Sequence, residues 1–224
     1  MTKTTVAIVG TAGGGADGPK MTKSIFDAML AKAESLIERQ LKLEWEQVTL
    51  ISGGAAWSDH VAVQLFLLHD CHLTLFIPCD WDHKTRQFVD NGEPNWRVNP
   101  GRCANRYHVM FKLATGYEPL NDIQAAVYIG ATIDASHHGF HARNNAIAQN
   151  SDVLIAFSWG AGNTPADGGT SFTWKQCRAQ RKIHVSLPDI GGCAMVAKEK
   201  RDFFYGVKHK KRNMHATEEE NRGP

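Results

Sequence analysis

Short apolar runs alternate with amphipathic stretches along the first third of the chain. Residues 6–9 form an unbroken apolar run that ends at a glycine turn, which is typical of a strand buried on both faces. Over 24–41 the apolar side chains recur at every fourth position, which predicts an amphipathic helix. The same patterns predict strands over 47–51 and 72–77 and a helix over 57–70. The order of these elements, β-α-β-α-β, predicts a parallel sheet.

The alternation of strand and helix patterns returns near the other end of the chain. It predicts helices over 142–149 and 170–180 and strands over 152–157 and 182–187. The fold class is therefore α/β: a Rossmann-like, doubly wound and mainly parallel sheet of about five strands, which binds ligands beyond the carboxyl ends of its strands.

The third and fourth strands are separated by a long segment of weak periodicity. We interpret this segment, about 80–136, as an insertion over the ligand face, with a helix near 103–114 because a structureless loop of that length is rare. Residues 1–197 then form a single domain. Residues 198–224 combine a basic run with three glutamates and are expected to be a charged, flexible tail.

Composition and charge limit the classes of function that we expect for the chain. With 42% hydrophobic and 21% charged residues, the chain has the composition of a globular protein. The net charge of +2 is too small to indicate a nucleic-acid partner. No apolar run is long enough for a membrane span or a signal peptide, and the five cysteines form no CxxC pair, so we expect a cytoplasmic protein with reduced thiols and no membrane partner.

Three glycine turns carry the candidate chemistry. Residues 10–13 follow the first strand, where backbone N–H groups and the positive end of the next helix can approach a phosphate. Residues 52–54 and Asp59 offer a hydroxyl and a carboxylate to a ribose or a base, although Asp59 could equally complement a helix dipole. Residues 167–170 precede a helix and are the strongest phosphate candidate. The alternative is that the glycines only form turns. The candidate residues in these turns are Gly10, Thr11, Ala12, Gly13, Ser52, Gly53, Gly54, Asp59, Asp167, Gly168, Gly169 and Thr170.

Two further candidates stand at the start of the helix before the fourth strand. Arg143 can bind a phosphate in bidentate fashion, and Asn144 can bond to a sugar or a base. A solvated surface arginine is the alternative.

Cofactor and metal binding are not expected. A GxGxxG pattern at Gly13, Gly15 and Gly18 comes three residues too late for a dinucleotide fingerprint, and no carboxylate ends the second strand. His137 and His141 would share a helical face, but Gly139 interrupts the helix between them, so we predict no zinc site.

The order of these motifs resembles the SLOG superfamily. The resemblance rests on the three glycine turns, Asp80-Trp81-Asp82, Arg143-Asn144 and the strand 152–157, and covers roughly 5–80 and 140–187. That superfamily includes the Lonely Guy phosphoribohydrolases and the DNA-processing protein Smf/DprA. The resemblance implies that the chain binds a nucleotide or a nucleotide-derived ligand along the glycine turns.

The resemblance leaves catalysis open. The Lonely Guy motif carries a glutamate three residues after its threonine, and the matching position here is Thr173. Cleavage of a base–ribose bond needs a carboxylate near the anomeric carbon, for which the candidates are Asp17, Asp59, Asp82, Asp134 and Asp167. Nucleotide binding is thus the first hypothesis. A nucleoside-monophosphate N-glycosidase or ribosyl transferase is the alternative, a DprA-like single-stranded DNA binder is the third, and assembly into a homo-oligomer stays open.

Overall fold

A computed structural model describes residues 3–165 and 168–190. Its main sheet has six strands, all paired in parallel, in the order β6-β3-β2-β1-β7-β8. This is the doubly wound α/β fold expected from the sequence. The strands are β1 (Thr4–Gly10), β2 (Val48–Ser52), β3 (His72–Phe76), β6 (Thr132–Asp134), β7 (Val153–Ser158) and β8 (Arg181–Ser186), and a separate antiparallel hairpin consists of β4 (Trp81–Asp82) and β5 (Gln87–Phe88).

Helices cover both faces of the sheet because β1 is apolar on both. Val6 and Ile8 join the larger core cluster, and Ala7 and Val9 join the smaller one with residues 146–148. The helices are α1 (Lys23–Ser35), α2 (His60–Leu68), α3 (Pro100–Thr115), α4 (Pro119–Tyr128), α5 (Phe140–Gln149), α6 (Gly168–Gln176) and α7 (Leu187–Ile190). Each of them, within the described ranges, is too short or too polar to cross a bilayer.

The first predicted helix keeps its apolar stripe but changes type before it ends. The Thr22 hydroxyl accepts a hydrogen bond from the Ile25 N–H and caps the start of α1. The α-helix stops at Ser35, and a π turn over Leu36–Gln40 continues it to the predicted end.

The insertion is folded rather than structureless. Its main helix, α3, contains the predicted 103–114; the Asn99 side chain caps it by accepting from the Arg102 N–H, and it ends at Gly116, whose φ is 76°. Phe111 of α3 packs edge-to-face against Phe26 of α1, with 4.8 Å between ring centroids. The insertion is therefore fixed to the domain by an aromatic core.

Two details differ from the sequence prediction. The sheet has six strands instead of about five, because the three-residue edge strand β6 lies within the presumed insertion, where its pattern is too short to detect. The first glycine turn is also not followed directly by an α-helix: α1 begins at Lys23, close to the predicted start at residue 24, and a 3-10 turn, Gly15–Lys20, lies between it and the glycine turn, so the amino end of α1 does not lie at that turn. Asp167 and the predicted tail, 198–224, lie outside the described residues.

Candidate functional site

A cavity of about 520 Å³ opens at the carboxyl ends of β1, β2 and β7. The chain leaves β1 toward β2 on one side, while β7 pairs with its other side, so this is the switch point where doubly wound sheets bind ligands. All three predicted glycine turns reach the cavity. Eleven of the candidate residues line it: Gly10, Thr11, Ala12, Gly53, Gly54, Asp59, Arg143, Asn144, Gly168, Gly169 and Thr170.

A buried ion pair joins two of these candidates across the cavity. The Arg143 guanidinium donates from Nη1 to Asp59 Oδ2 over 2.9 Å, and both side chains are more than 90% buried. The same Asp59 oxygen accepts from the backbone N–H groups of Gly53 and Ala55. Burial raises the pKa of Asp59, whereas Arg143 and the two amides act to lower it. Asp59 therefore orients Arg143 and fixes the turn after β2.

The ion pair with Asp59 uses only one donor atom of Arg143, its Nη1. Its Nε is buried and has no hydrogen-bond partner among the described residues. The guanidinium carbon lies 5.7 Å from the centroid of the Phe140 ring, which forms part of the cavity wall. Because a buried donor without a partner costs free energy, this arrangement favours an added acceptor, and an anionic one most of all.

Glycine is required at Gly53 because the ion pair lies directly against its α-carbon. A β-carbon there would lie 1.2 Å from Arg143 Nη1 and 2.7 Å from Asp59 Oδ2. Gly10 is equally crowded, since a β-carbon would lie 2.2 Å from the carbonyl oxygen of Phe157. These two glycines let the backbone approach the ion pair and the neighbouring strand.

The amino end of α6 supplies the polar wall opposite the glycine turn of β1. Gly168, Gly169 and Thr170 are its first three residues, where N–H groups have no intrahelical acceptor. Asn144 stands beside them: its Nδ2 would lie 3.5 Å from a β-carbon added at Gly169. This wall thus combines backbone donors, the positive end of a nine-residue helix and an amide side chain.

Two predicted residues lie outside the cavity lining. Ser52 is buried and its hydroxyl donates to the backbone carbonyl of Asp59 over 3.0 Å. Gly13, with φ of 74°, packs against the Trp57 indole. Both support the shape of the turns and do not face the cavity.

The cavity also has an aromatic wall that the sequence did not reveal as a site. The insertion contributes residues such as Trp96 and Tyr107, and Phe140 and Trp159 come from the segments next to β7. The Trp96 and Phe140 rings lie 5.9 Å apart. Trp96 and Tyr107 both lie in the insertion, so the predicted position of that insertion over the ligand face is the signal that could have found them.

The described carboxylates that are candidates for catalysis fall into two groups, those that line the cavity and those that lie elsewhere. Asp17 lines the cavity, where it accepts from the Thr11 hydroxyl over 2.7 Å. Asp59 lines it too but is held by Arg143. Asp82 and Asp134 lie elsewhere and accept from the N–H groups of the loops that follow them. Thr173, which stands where the Lonely Guy motif has its glutamate, also lines the cavity.

Metal-ligating side chains gather at a different place. Glu34, Glu38 and His69 bring one ligand atom each within 4.8 Å of one another, near the end of α1. His69 is already hydrogen-bonded to Glu34, and Trp45 to Glu38. Helix α5 begins at Phe140, so it includes His141 but not His137, and these two histidines do not share a helix.

Comparison with known proteins identifies one family. No family model matches the chain. Uncharacterized protein R261 of Acanthamoeba polyphaga mimivirus is 30% identical over 189 residues, which cover 84% of this chain and 98% of that protein. The chain belongs to the family of this mimivirus protein. The match extends over nearly the whole length of the viral protein and is not confined to a short motif.

Proposed function

We propose that this protein binds a nucleotide or a nucleotide-derived ligand in the cavity at the carboxyl ends of β1, β2 and β7. The observation that carries the proposal is Arg143, a buried cation whose Nε lacks a partner among the described residues and which lines a cavity of about 520 Å³ beside the amino end of α6. A phosphate placed there would accept from a guanidinium and from helix amides at once.

The shape and lining of the cavity support the same proposal. Its volume falls in the range of small-molecule sites, and its aromatic wall offers faces on which a base can stack. The resemblance to the SLOG superfamily, carried by the order of the glycine turns and Arg143-Asn144, points to the same ligand class. A cytoplasmic location, where nucleotides are abundant, is part of this proposal.

The test compares nucleotides with their nucleosides by calorimetry. The wild-type protein should bind a nucleoside monophosphate more tightly than the matching nucleoside, and Gly169→Asp should remove that difference by placing a carboxylate beside the phosphate. A β-carbon at Gly169 meets only an ordinary contact at 3.5 Å, so the fold should tolerate the change. Gly169→Asn is the matched neutral control. Equal affinities of the two ligands for the wild type would refute the proposal.

A nucleotide N-glycosidase is the second candidate function, and Asp17 is the observation that favours it. Asp17 is a carboxylate in the cavity lining and has no ion-pair partner among the described residues. Chromatography of a nucleoside monophosphate incubated with the protein should show free base, and Asp17→Asn should abolish its release. Binding without release of base would leave the first function and eliminate this one.

A further inference from the structure

A serine and a histidine at the edge of the cavity form a hydrogen-bonded pair that nucleotide binding does not require. Ser158 is the last residue of β7 and lines the cavity. Its Oγ lies 2.7 Å from Nε2 of His184, a residue of the neighbouring strand β8. His184 stands opposite Ala156 in the parallel register, and therefore on the same sheet face as Ser158, two residues further along β7.

The direction of these hydrogen bonds follows from the third group. His184 Nδ1 lies 2.7 Å from the carbonyl oxygen of Gly162, which can only accept. The neutral imidazole therefore carries its proton on Nδ1 and presents a lone pair at Nε2. The Ser158 hydroxyl must then donate to His184, which is the polarity that a general base needs to activate a nucleophile.

The surroundings of Ser158 suit an oxyanion. The first residues of α6, Gly168 and Gly169, line the same cavity, and their N–H groups have no intrahelical acceptor. A negative charge that develops on one oxygen in this region would meet backbone donors and the positive end of the helix. The nucleophile and the oxyanion donors thus line one cavity, and the oriented base contacts the nucleophile from the neighbouring strand.

We propose that Ser158 and His184 are a catalytic dyad that hydrolyses a carboxylic ester carried on a sugar hydroxyl of the bound nucleotide. An acyl group is favoured over a phosphoryl group because its transition state concentrates charge on one oxygen, whereas phosphoryl transfer spreads charge over three. Among the described lining residues the only cation is Arg143, and Asp59 already pairs with it. The nucleotide part of the substrate rests on the proposed function, whereas ester cleavage by the dyad does not.

The reaction proceeds in two balanced halves. Ser158 Oγ attacks the carbonyl carbon while its proton passes to His184 Nε2; the bond from that carbon to the sugar oxygen breaks, and the sugar oxygen takes the proton from Nε2. Water then attacks the acyl-serine and gives a proton to Nε2. The bond from carbon to Ser158 Oγ breaks, Oγ recovers the proton, and the carboxylic acid leaves.

The same hydrogen bonds could simply fasten the loop after β7, so the test must measure reactivity. A small fluorophosphonate should label the full-length protein at Ser158, located by mass spectrometry of its peptides, and the protein should hydrolyse p-nitrophenyl acetate. His184→Gln retains a hydrogen-bonding side chain but removes the base. It should slow labelling and hydrolysis by about a hundredfold or more. Ser151→Ala, two residues before the start of β7, is the matched control and should label normally.

The outcomes separate the two proposals. Labelling at Ser158 that a nucleoside monophosphate slows would support both the dyad and the nucleotide site. Labelling at Ser158 that no nucleotide affects would support the dyad and count against the nucleotide site. If wild-type protein that binds nucleotide in calorimetry is not labelled at Ser158, or if His184→Gln labels at the wild-type rate, the dyad is refuted.

Discussion

Replacing Gly53 by alanine should break the buried Arg143–Asp59 ion pair without any change to a charged residue. The added β-carbon would lie 1.2 Å from Arg143 Nη1, 2.3 Å from Cζ and 2.7 Å from Asp59 Oδ2, so the guanidinium has to move by more than a bond length. Gly53 does not have a positive φ, and alanine fits its backbone. The effect should therefore come from the side-chain overlap.

The magnitude follows from the burial of the pair. Separating two hydrogen-bonded charges that are both more than 90% buried typically costs about 3–5 kcal/mol. We expect Gly53→Ala to lower the free energy of unfolding by about 3 kcal/mol, which would shift the midpoint of a urea transition by about 1 M or more. Circular dichroism and tryptophan fluorescence can both follow the transition.

A double-mutant cycle identifies the cause. Arg143→Ala removes the group that the β-carbon would strike, so adding Gly53→Ala to that variant should cost little further stability. The coupling free energy should then be about 2–3 kcal/mol. Additive losses, or a Gly53→Ala protein within about 0.5 kcal/mol of the wild type, would show that the ion pair is not fixed against this glycine.

Three further predictions concern other parts of the fold. Gly10→Ala should abolish cooperative unfolding in calorimetry, because the β-carbon would lie 2.2 Å from the Phe157 carbonyl oxygen of the neighbouring strand. Burial lowers the pKa of His108 to about 3, so unfolding takes up a proton below pH 6.5 and the free energy of unfolding falls as the pH drops toward 3. His108→Gln should weaken this pH dependence in urea titrations. A pH dependence equal to that of the wild type would contradict the prediction. Hydrogen bonds, the strongest of them from the Asn99 side chain, lower the pKa of Asp90 to about 2. The stabilising effect of the ionised Asp90 is therefore complete above about pH 4 and disappears as the pH falls toward 2. An Asp90 carboxyl resonance that titrates near pH 4 in NMR would refute this prediction.

The sequence predicted those elements whose signal is local. Five of the six strands in the main sheet were predicted: β1 and β7 contain unbroken apolar runs, which are typical of strands buried on both faces, and β2, β3 and β8 follow from shorter strand patterns. The edge strand β6 escaped because three residues within a segment of weak periodicity carry too little pattern. Helix α3 was predicted in part because a folded insertion of that length needs secondary structure.

Eleven of the fourteen residues that the sequence predicted as a site line the cavity, but the sequence did not show how they are connected. Glycine turns after strands have a local signature, and these turns converge because parallel strands share one carboxyl edge. The pairing of Asp59 with Arg143 spans 84 positions, and the pairing of Ser158 with His184 depends on the register of two strands. Both depend on three-dimensional contacts between residues that are distant in the chain.

Because β7 pairs directly with β1 and α6 contributes to the lining, the cavity cannot exist until the chain has been synthesised as far as α6. Its walls include the turn after β1 near residue 10 and the start of α6 at Gly168. During synthesis, a nascent chain that ends before β7 would leave one edge of β1 unpaired, and one that ends before α5 would also leave Asp59 without its arginine. Emergence of β7 and then α6 from the ribosome would therefore first close that edge of β1 and then complete the cavity.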